Sequence, residues 1–289
     1  MRQEQRKILA ATVAASTALV LALAKATVAL LTGSLAVMAA AVDSLTDVAC
    51  SGLNAYFLSL AANPPDEEHA YGHGKAEALS GMIQAVIIAM TGLWLVGRGV
   101  WRLVEPEHIK SPEAGVAISA ASLVVSLVLV AYLRREAGRT RSLALRADAF
   151  HYVTDVGTNL VAGLALVGYG ALGWRGFDPA ASIVIAVYII WSAMEILRDA
   201  AQELLDRGLP REVEDEVKAM LHGFAPEVRG YRAFRSRRSG GTSFFEFRML
   251  LDRKASFERS HEITEAAIRR IRERHGEHTE IMIDTDPVG

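Results

Sequence analysis

Ala41-Val42-Asp43-Ser44-Leu45-Thr46-Asp47-Val48-Ala49-Cys50 sets two carboxylates four residues apart inside a long apolar run. A second stretch, Asp148-Ala149-Phe150-His151-Tyr152-Val153-Thr154-Asp155, repeats the arrangement with His151 and Asp155 four apart at the start of another apolar run. Four-residue spacing puts each pair on one face of a helix. Ionisable groups inside a membrane span are costly, so they face one another, a cavity or an ion rather than lipid. Three carboxylates and an imidazole form the oxygen and nitrogen ligand set of a divalent metal.

Outward from these runs, the distribution of charge decides the class. The chain has 289 residues, 51% hydrophobic, and a formal charge of −2. Nearly all the charge lies in the first seven residues, in short loops and in the last ~85 residues, with apolar residues filling what lies between. A single cysteine, Cys50, excludes an intramolecular disulfide framework and a four-thiolate zinc site. Arg2, Arg6 and Lys7 precede an apolar run that reaches about Leu31, longer than a signal-peptide core, so this is the first span.

A span needs about 20 mostly apolar residues. Six stretches qualify, roughly 8–31, 35–62, 76–103, 113–134, 143–171 and 177–199. Thr32-Gly33-Ser34, the polar 63–75 loop, the segment between Pro106 and Pro112, the run holding Arg134, Arg135, Arg139 and Arg141, and Gly173-Trp174-Arg175-Gly176 are the connections. Basic residues favour the cytoplasmic side. The N-terminus and the arginine-rich fourth connection agree, which predicts cytoplasmic termini.

From about Leu209 the composition becomes that of a small soluble domain. Helix from Pro210, strands over Val228–Arg235 and Phe244–Leu251, a helix from Phe257 capped by Ser256, and a strand over Glu280–Asp284 give the order α-β-β-α-β. The fold expected is therefore a membrane all-α six-helix bundle over 1–208 and a small cytoplasmic α+β domain over 209–289.

With span two running inward and span five outward, Asp43 lies roughly 12–14 Å from one membrane face and Asp155 roughly 18 Å from the other. In a hydrocarbon core about 30 Å thick both pairs fall near the midplane. Asp47 then sits level with His151. Ser51, Asn54 and Asn159 continue the same faces and read as a water-accessible track. Lys25 is expected to snorkel to the interface, Cys50 to pack, and Gly157, Ala162, Gly163 and Ala165 to allow close packing around span five.

Asp43-x-x-x-Asp47, His151-x-x-x-Asp155 and Tyr71-Gly72-His73-Gly74-Lys75-Ala76-Glu77 together resemble the cation diffusion facilitator family, in its bacterial zinc and ferrous-iron efflux branch. The resemblance covers almost the whole chain. It implies that Asp43, Asp47, His151 and Asp155 form a tetrahedral Zn²⁺ transport site, that metal is exchanged for protons, and that the protein is a homodimer of the bacterial inner membrane. It also implies a single-metal site at Asp66, His69 and His73, residues that alone read equally as a solvated loop. Lys75 and Asp206 match a charge interlock between helix bundles.

In the C-terminal domain the pattern departs. His261 and Asp286 match family ligands and Asp284 stands where a histidine is expected, but Arg232 and Arg248 hold two further ligand positions. Either His261, Asp284 and Asp286 bind one regulatory Zn²⁺, or arginine–carboxylate pairs replace metal.

Metal and protons compete for deprotonated ligands, so a pH gradient can drive export without nucleotide. No G-x-x-x-x-G-K-[ST] loop, nucleophile–base pair or organic-cofactor motif stands out. The expectation is a Zn²⁺ (and Cd²⁺)/H⁺ antiporter whose partners are divalent metals, protons, the lipid bilayer and a second copy of itself, not nucleic acid. It is not expected to be an enzyme. Efflux of Fe²⁺ or Mn²⁺, and a membrane-anchored metal sensor, are the alternatives.

Overall fold

The computed structural model describes residues 3–32, 35–104, 113–172, 177–224, 226–276 and 278–288, leaving aside the side chains of 32, 35–40, 42–43, 98, 102–104, 113–119, 158–159, 161–172, 177–179 and 181–182. Two compact units emerge, Met1–Ala201 and Gln202–Gly289.

The first unit is helical: α1 (Gln3–Thr32), α2 (Leu35–Ala61), α3 (Lys75–Val104), α4 (Glu113–Thr140), α5 (Leu143–Leu172) and α6 (Phe177–Leu204), its last three residues belonging to the second unit. Small residues let the helices close. Ala10, Ala11 and Ala14 of α1 meet Leu58 of α2, Leu129 and Leu133 of α4, and Leu145, Ala149 and Tyr152 of α5 in one buried cluster. α3 and α6 pack separately through Ile88, Ile189 and Ala193, and touch α5 through Ala85, Ala147 and Ile196.

The outside of this unit is the reverse of a soluble surface. Val20, Val128 and Val184 are 65%, 66% and 69% exposed, as are comparable stretches of leucine and valine along α1, α4 and α6. Such a belt fits hydrocarbon rather than water. Among the described residues, Gln3–Leu31 and Lys75–Trp101 satisfy length and composition for a membrane crossing.

Two local expectations change. The arginines assigned to the fourth connection mostly lie on α4, which continues to Thr140. Exposed Arg139 pairs at 3.1 Å with Glu136 one turn back, which is buried, and Thr140 Oγ1 donates to the Glu136 carbonyl at 2.7 Å, so the charged end continues as helix. The connection itself is Arg141-Ser142, with Arg141 at φ 50 and Ser142 Oγ accepting the Leu145 N–H at 3.1 Å as the cap of α5. Close helix packing is tightest at Gly92 rather than Gly157. A Cβ on Gly92 would stand 2.7 Å from Ile190 Cγ1, whereas at Gly157 the nearest atom, Ile185 Cγ2, is 4.0 Å away. The Ala162, Gly163 and Ala165 side chains lie outside those described.

The second unit contains α7 (Arg211–His222), β1 (Val228–Ser239), β2 (Thr242–Asp252), α8 (Phe257–His275) and β3 (Thr279–Val288). The sheet order is β1-β2-β3, antiparallel then parallel, with α8 as the crossover. Alternation along β2 buries Phe245, Phe247, Met249 and Leu251 against Val217 and Leu221 of α7 and Ile263, Ala267 and Ile271 of α8. Ser256 caps α8 by accepting the Arg259 N–H. The opposite face of the sheet is left to charged residues, among them Arg232, Arg248 and Asp284.

Candidate metal centre

α2 and α5 bring Asp47, His151 and Asp155 together, with one ligand atom of each within 4.8 Å of the others. His151 Nε2 lies 3.1 Å from Asp47 Oδ1 and 4.0 Å from Asp155 Oδ2. Ligands at about 2.0–2.1 Å around a tetrahedral ion stand about 3.3 Å apart. The observed separations bracket that edge. Asp43 belongs to α2 one helical turn before Asp47, on the same face by spacing, but its side chain is outside those described.

Beneath this trio lies a polar network. Asp148, a carboxylate in the same heptad as His151, is fully buried. Ser51 Oγ is 3.1 Å from Asp148 Oδ1 and 2.9 Å from the Tyr152 hydroxyl. Ser80 Oγ donates to Asn54 Oδ1 at 2.9 Å, and the Asn54 amide reaches the Ala144 carbonyl. Ser51 and Asn54 are therefore not an open track. They are fully buried and tie α2 to α3 and α5. Asn159's side chain lies outside those described. Lys25 does not snorkel to the interface. Its ammonium donates to Ser44 Oγ at 2.7 Å, because α1 packs so closely on α2 that a buried hydroxyl is within reach.

A second trio occupies the loop after α2. Asp66, His69 and His73 also place ligand atoms within 4.8 Å of one another. His69 Nδ1 is 3.3 Å from Asp66 Oδ1, and His73 Nε2 is 3.4 Å from Asp66 Oδ2. The loop folds around Asp66, whose Oδ1 accepts the backbone N–H groups of Glu68 at 3.0 Å and His69 at 2.6 Å. The His69 N–H holds the Asp66 carboxyl below its ordinary value. Gly72 at φ 78 turns the chain back so that His73 returns to Asp66. Two imidazoles and an ionised carboxylate at near-tetrahedral spacing fit a metal ion.

The C-terminal residues behave differently. Among the described residues the two trios above are the groups with metal-sized spacing, and His261 does not join Asp284 and Asp286 in a third. Arg232 holds Asp286 through Nε at 2.8 Å. Arg248, opposite both Arg232 and Asp284 in the sheet register, lies 3.3 Å from Asp284 and 3.9 Å from Asp286. His261 is exposed on α8. Both carboxylates pair with guanidinium groups and His261 stands apart, so these residues do not fit a metal within one chain.

Lys75 opens α3 in the first unit, and Asp206, at φ 57, pairs with Arg237 at 3.3 Å within the second. Sequence reasoning missed the pairing of Lys7 with Glu77 at 2.6 Å, both buried, which joins the start of α1 to that of α3.

Residues 11–205 match the family model described as the cation efflux transmembrane domain, and residues 209–288 match the cation efflux protein, cytoplasmic domain. The chain belongs to the cation efflux family. It is thus a membrane transporter for metal cations with a C-terminal cytoplasmic dimerisation domain, and its family is not one of enzymes. It is 37% identical over 283 residues to the cation-efflux pump FieF of Pectobacterium atrosepticum, covering 97% of this chain and 92% of that one. The cation-efflux pump FieF of Serratia proteamaculans is 38% identical over 239 residues, 81% of this chain and 77% of that one. Among solved structures, the zinc form of a putative zinc transporter, CzrB, is similar over 28% of this chain and 92% of that one, at 23% identity and a TM-score of 0.27.

Proposed function

We propose that this cation efflux protein exports Zn²⁺, and Cd²⁺ by the same chemistry, from the bacterial cytoplasm in exchange for protons. The observation that carries the reading is the meeting of Asp47, His151 and Asp155 from two antiparallel helices, with His151 and Asp47 3.1 Å apart inside an apolar bundle. An imidazole among carboxylates favours Zn²⁺ over the all-oxygen preference of Mg²⁺ or Mn²⁺. Asp43 completes a four-ligand set from the same face of α2. Each ligand binds either metal or a proton, so protons entering from the acidic side displace the cation and metal entering from the cytoplasm displaces protons.

The protein works as a homodimer of the bacterial inner membrane with both termini in the cytoplasm. Asp66, His69 and His73 hold a resident metal whose contribution is to cross-link the loop between α2 and α3. Asp284 and Asp286 pair with arginines in place of a regulatory metal.

Purified protein in proteoliposomes carrying an imposed pH difference tests the reading, with Zn²⁺, Cd²⁺, Fe²⁺ and Mn²⁺ offered separately. Zn²⁺ and Cd²⁺ flux coupled to proton counter-movement, abolished by Asp47→Ala, is expected. Flux of Fe²⁺ or Mn²⁺ in preference to Zn²⁺ would move the assignment to those ions. Zn²⁺ binding with no flux under any gradient would leave only a sensor.

A further inference from the structure

A cavity of about 530 Å³ opens between the last turns of α4, the first turns of α5 and the facing stretch of α6. Its rim carries Arg134, Arg141 and Arg146 against one lining carboxylate, Glu195. Arg146 is already neutralised, 2.6 Å from Glu195 and 2.8 Å from Asp199. Arg134 and Arg141 have no ion-pair partner among the described residues, and both are exposed. Two guanidinium groups thus face one cavity without a counter-charge. The N-terminus of α5, capped by Ser142, lines the same space and adds the positive end of its dipole.

The opposite wall is apolar. Phe150, Tyr188 and Trp191 form a run of rings, with centroids 6.3 Å apart for Phe150 and Tyr188 and 6.4 Å for Tyr188 and Trp191. Tyr188 and Trp191 are more than half exposed on the lipid-facing side of α6. Aromatic residues of this kind mark the headgroup level of a bilayer. The height agrees. α5 starts at Leu143, eight residues or about 12 Å of helix before His151, and Arg141 lies two residues beyond that start, close to the edge of a hydrocarbon core about 30 Å thick. With His151 near the midplane, Arg141 stands at the headgroup boundary, and Arg134 of α4 lines the same cavity.

We infer that this cavity binds the headgroup of an anionic phospholipid. Its phosphodiester is held between Arg134 and Arg141, and an acyl chain lies along Tyr188 and Trp191. A cationic rim continuous with a lipid-exposed aromatic wall matches the two halves of a phospholipid, and basic pockets between membrane helices take such headgroups. A free phosphate would leave the aromatic wall without a partner. The site is separate from the metal ligands and does not depend on which ion is carried.

Native mass spectrometry of the full-length protein in detergent, titrated with phosphatidylglycerol or phosphatidylcholine, tests it. The wild type is expected to retain phosphatidylglycerol saturably and about thirtyfold more tightly than phosphatidylcholine, the scale expected of two arginines beside an anionic headgroup. Arg134→Gln and Arg141→Gln each weaken retention and together abolish the preference, while Arg135→Gln, on the same helix but off the cavity, leaves it intact. All three side chains are exposed, so a melting curve matched to wild type is expected for each. Equal retention of the two lipids by wild type, or undiminished preference in the double variant, overturns the proposal. Displacement of phosphatidylglycerol by inorganic phosphate at comparable concentration also overturns it, since the site would then be one for a soluble anion. If the double variant changes the monomer–dimer balance with lipid retention unaltered, the cavity belongs to a subunit contact and the proposal fails.

Discussion

His151 Nε2 stands 3.1 Å from Asp47 Oδ1, joining α5 to α2 where neither helix offers another imidazole. The imidazole is the one nitrogen donor in the set, so it is the residue on which metal discrimination turns. His151→Asp converts the site to oxygen ligands alone. Transport of Mn²⁺ relative to Zn²⁺ in proteoliposomes is expected to rise in that variant, by about tenfold or more if ligand softness is worth about 1.4 kcal/mol. Unchanged discrimination would remove His151 from selectivity.

Lys7 and Glu77 form a buried ion pair at 2.6 Å, with Glu4 a further 3.0 Å from the Lys7 ammonium. Removing one partner strands a charge in a low-dielectric site, which costs about 3–5 kcal/mol, whereas replacing both by apolar residues of similar volume is close to neutral. Lys7→Met is therefore expected to destabilise the helical unit strongly, and Lys7→Met/Glu77→Leu to recover most of the loss. Denaturant unfolding of the two singles and the double in detergent measures the coupling. Additive single effects would show that the pair is not the structural tie it resembles.

The reach of sequence reasoning follows from what a membrane span displays. Helix ends came within a few residues because polar turns punctuate apolar runs, and α4 overran only because its last turns are charged and leave the membrane as helix. Asp47, His151 and Asp155 were legible because an ionisable residue in an apolar run is conspicuous. Helix rotation was less legible, since a span that is apolar all round carries no amphipathic stripe. The signal available was small residues: Ala10, Ala11, Ala14, Ala18 and Ala22 trace the buried side of α1. Lys7–Glu77, the Gly92 contact and the Asp148–Ser51–Tyr152 network all depend on such rotations. In the soluble domain, alternation along β2 identified the inner face directly. Which carboxylate each outer-face arginine takes depends on strand register, and the sequence does not display register.

His275 closes α8 with its ring 5.8 Å from that of Phe245 and its Nε2 buried without a hydrogen-bond partner among the described residues. Burial lowers its pKa below the ordinary imidazole value, although Glu216 nearby acts in the opposite sense. The unfolded chain then binds more protons than the folded one just below the ordinary value of about 6.5, so stability is full above that pH and falls on acidification. Calorimetry of the full-length protein is expected to show the cytoplasmic unit's transition moving down between pH 7.5 and pH 5.5. The shift should be smaller in His275→Gln. Identical pH slopes would assign the dependence to other groups.

Arg232 and Arg248 converge on Asp286, at 2.8 Å and 3.9 Å, with Arg248 also 3.3 Å from Asp284. Exposed pairs of this kind contribute about 0.2–1 kcal/mol each and are screened by salt. The outer face of the sheet should therefore respond to ionic strength and not to metal. Amide hydrogen exchange of β2 and β3 in the full-length protein is expected to be unchanged between zinc and chelator and modestly faster at high salt. Arg232→His/Arg248→His sets two imidazoles beside two released carboxylates, a competent zinc set. Zinc-dependent protection of β2 and β3 should appear in that variant alone. Protection by zinc in the wild type would mean that the guanidinium groups yield the carboxylates to metal, and that this domain reads the ion after all.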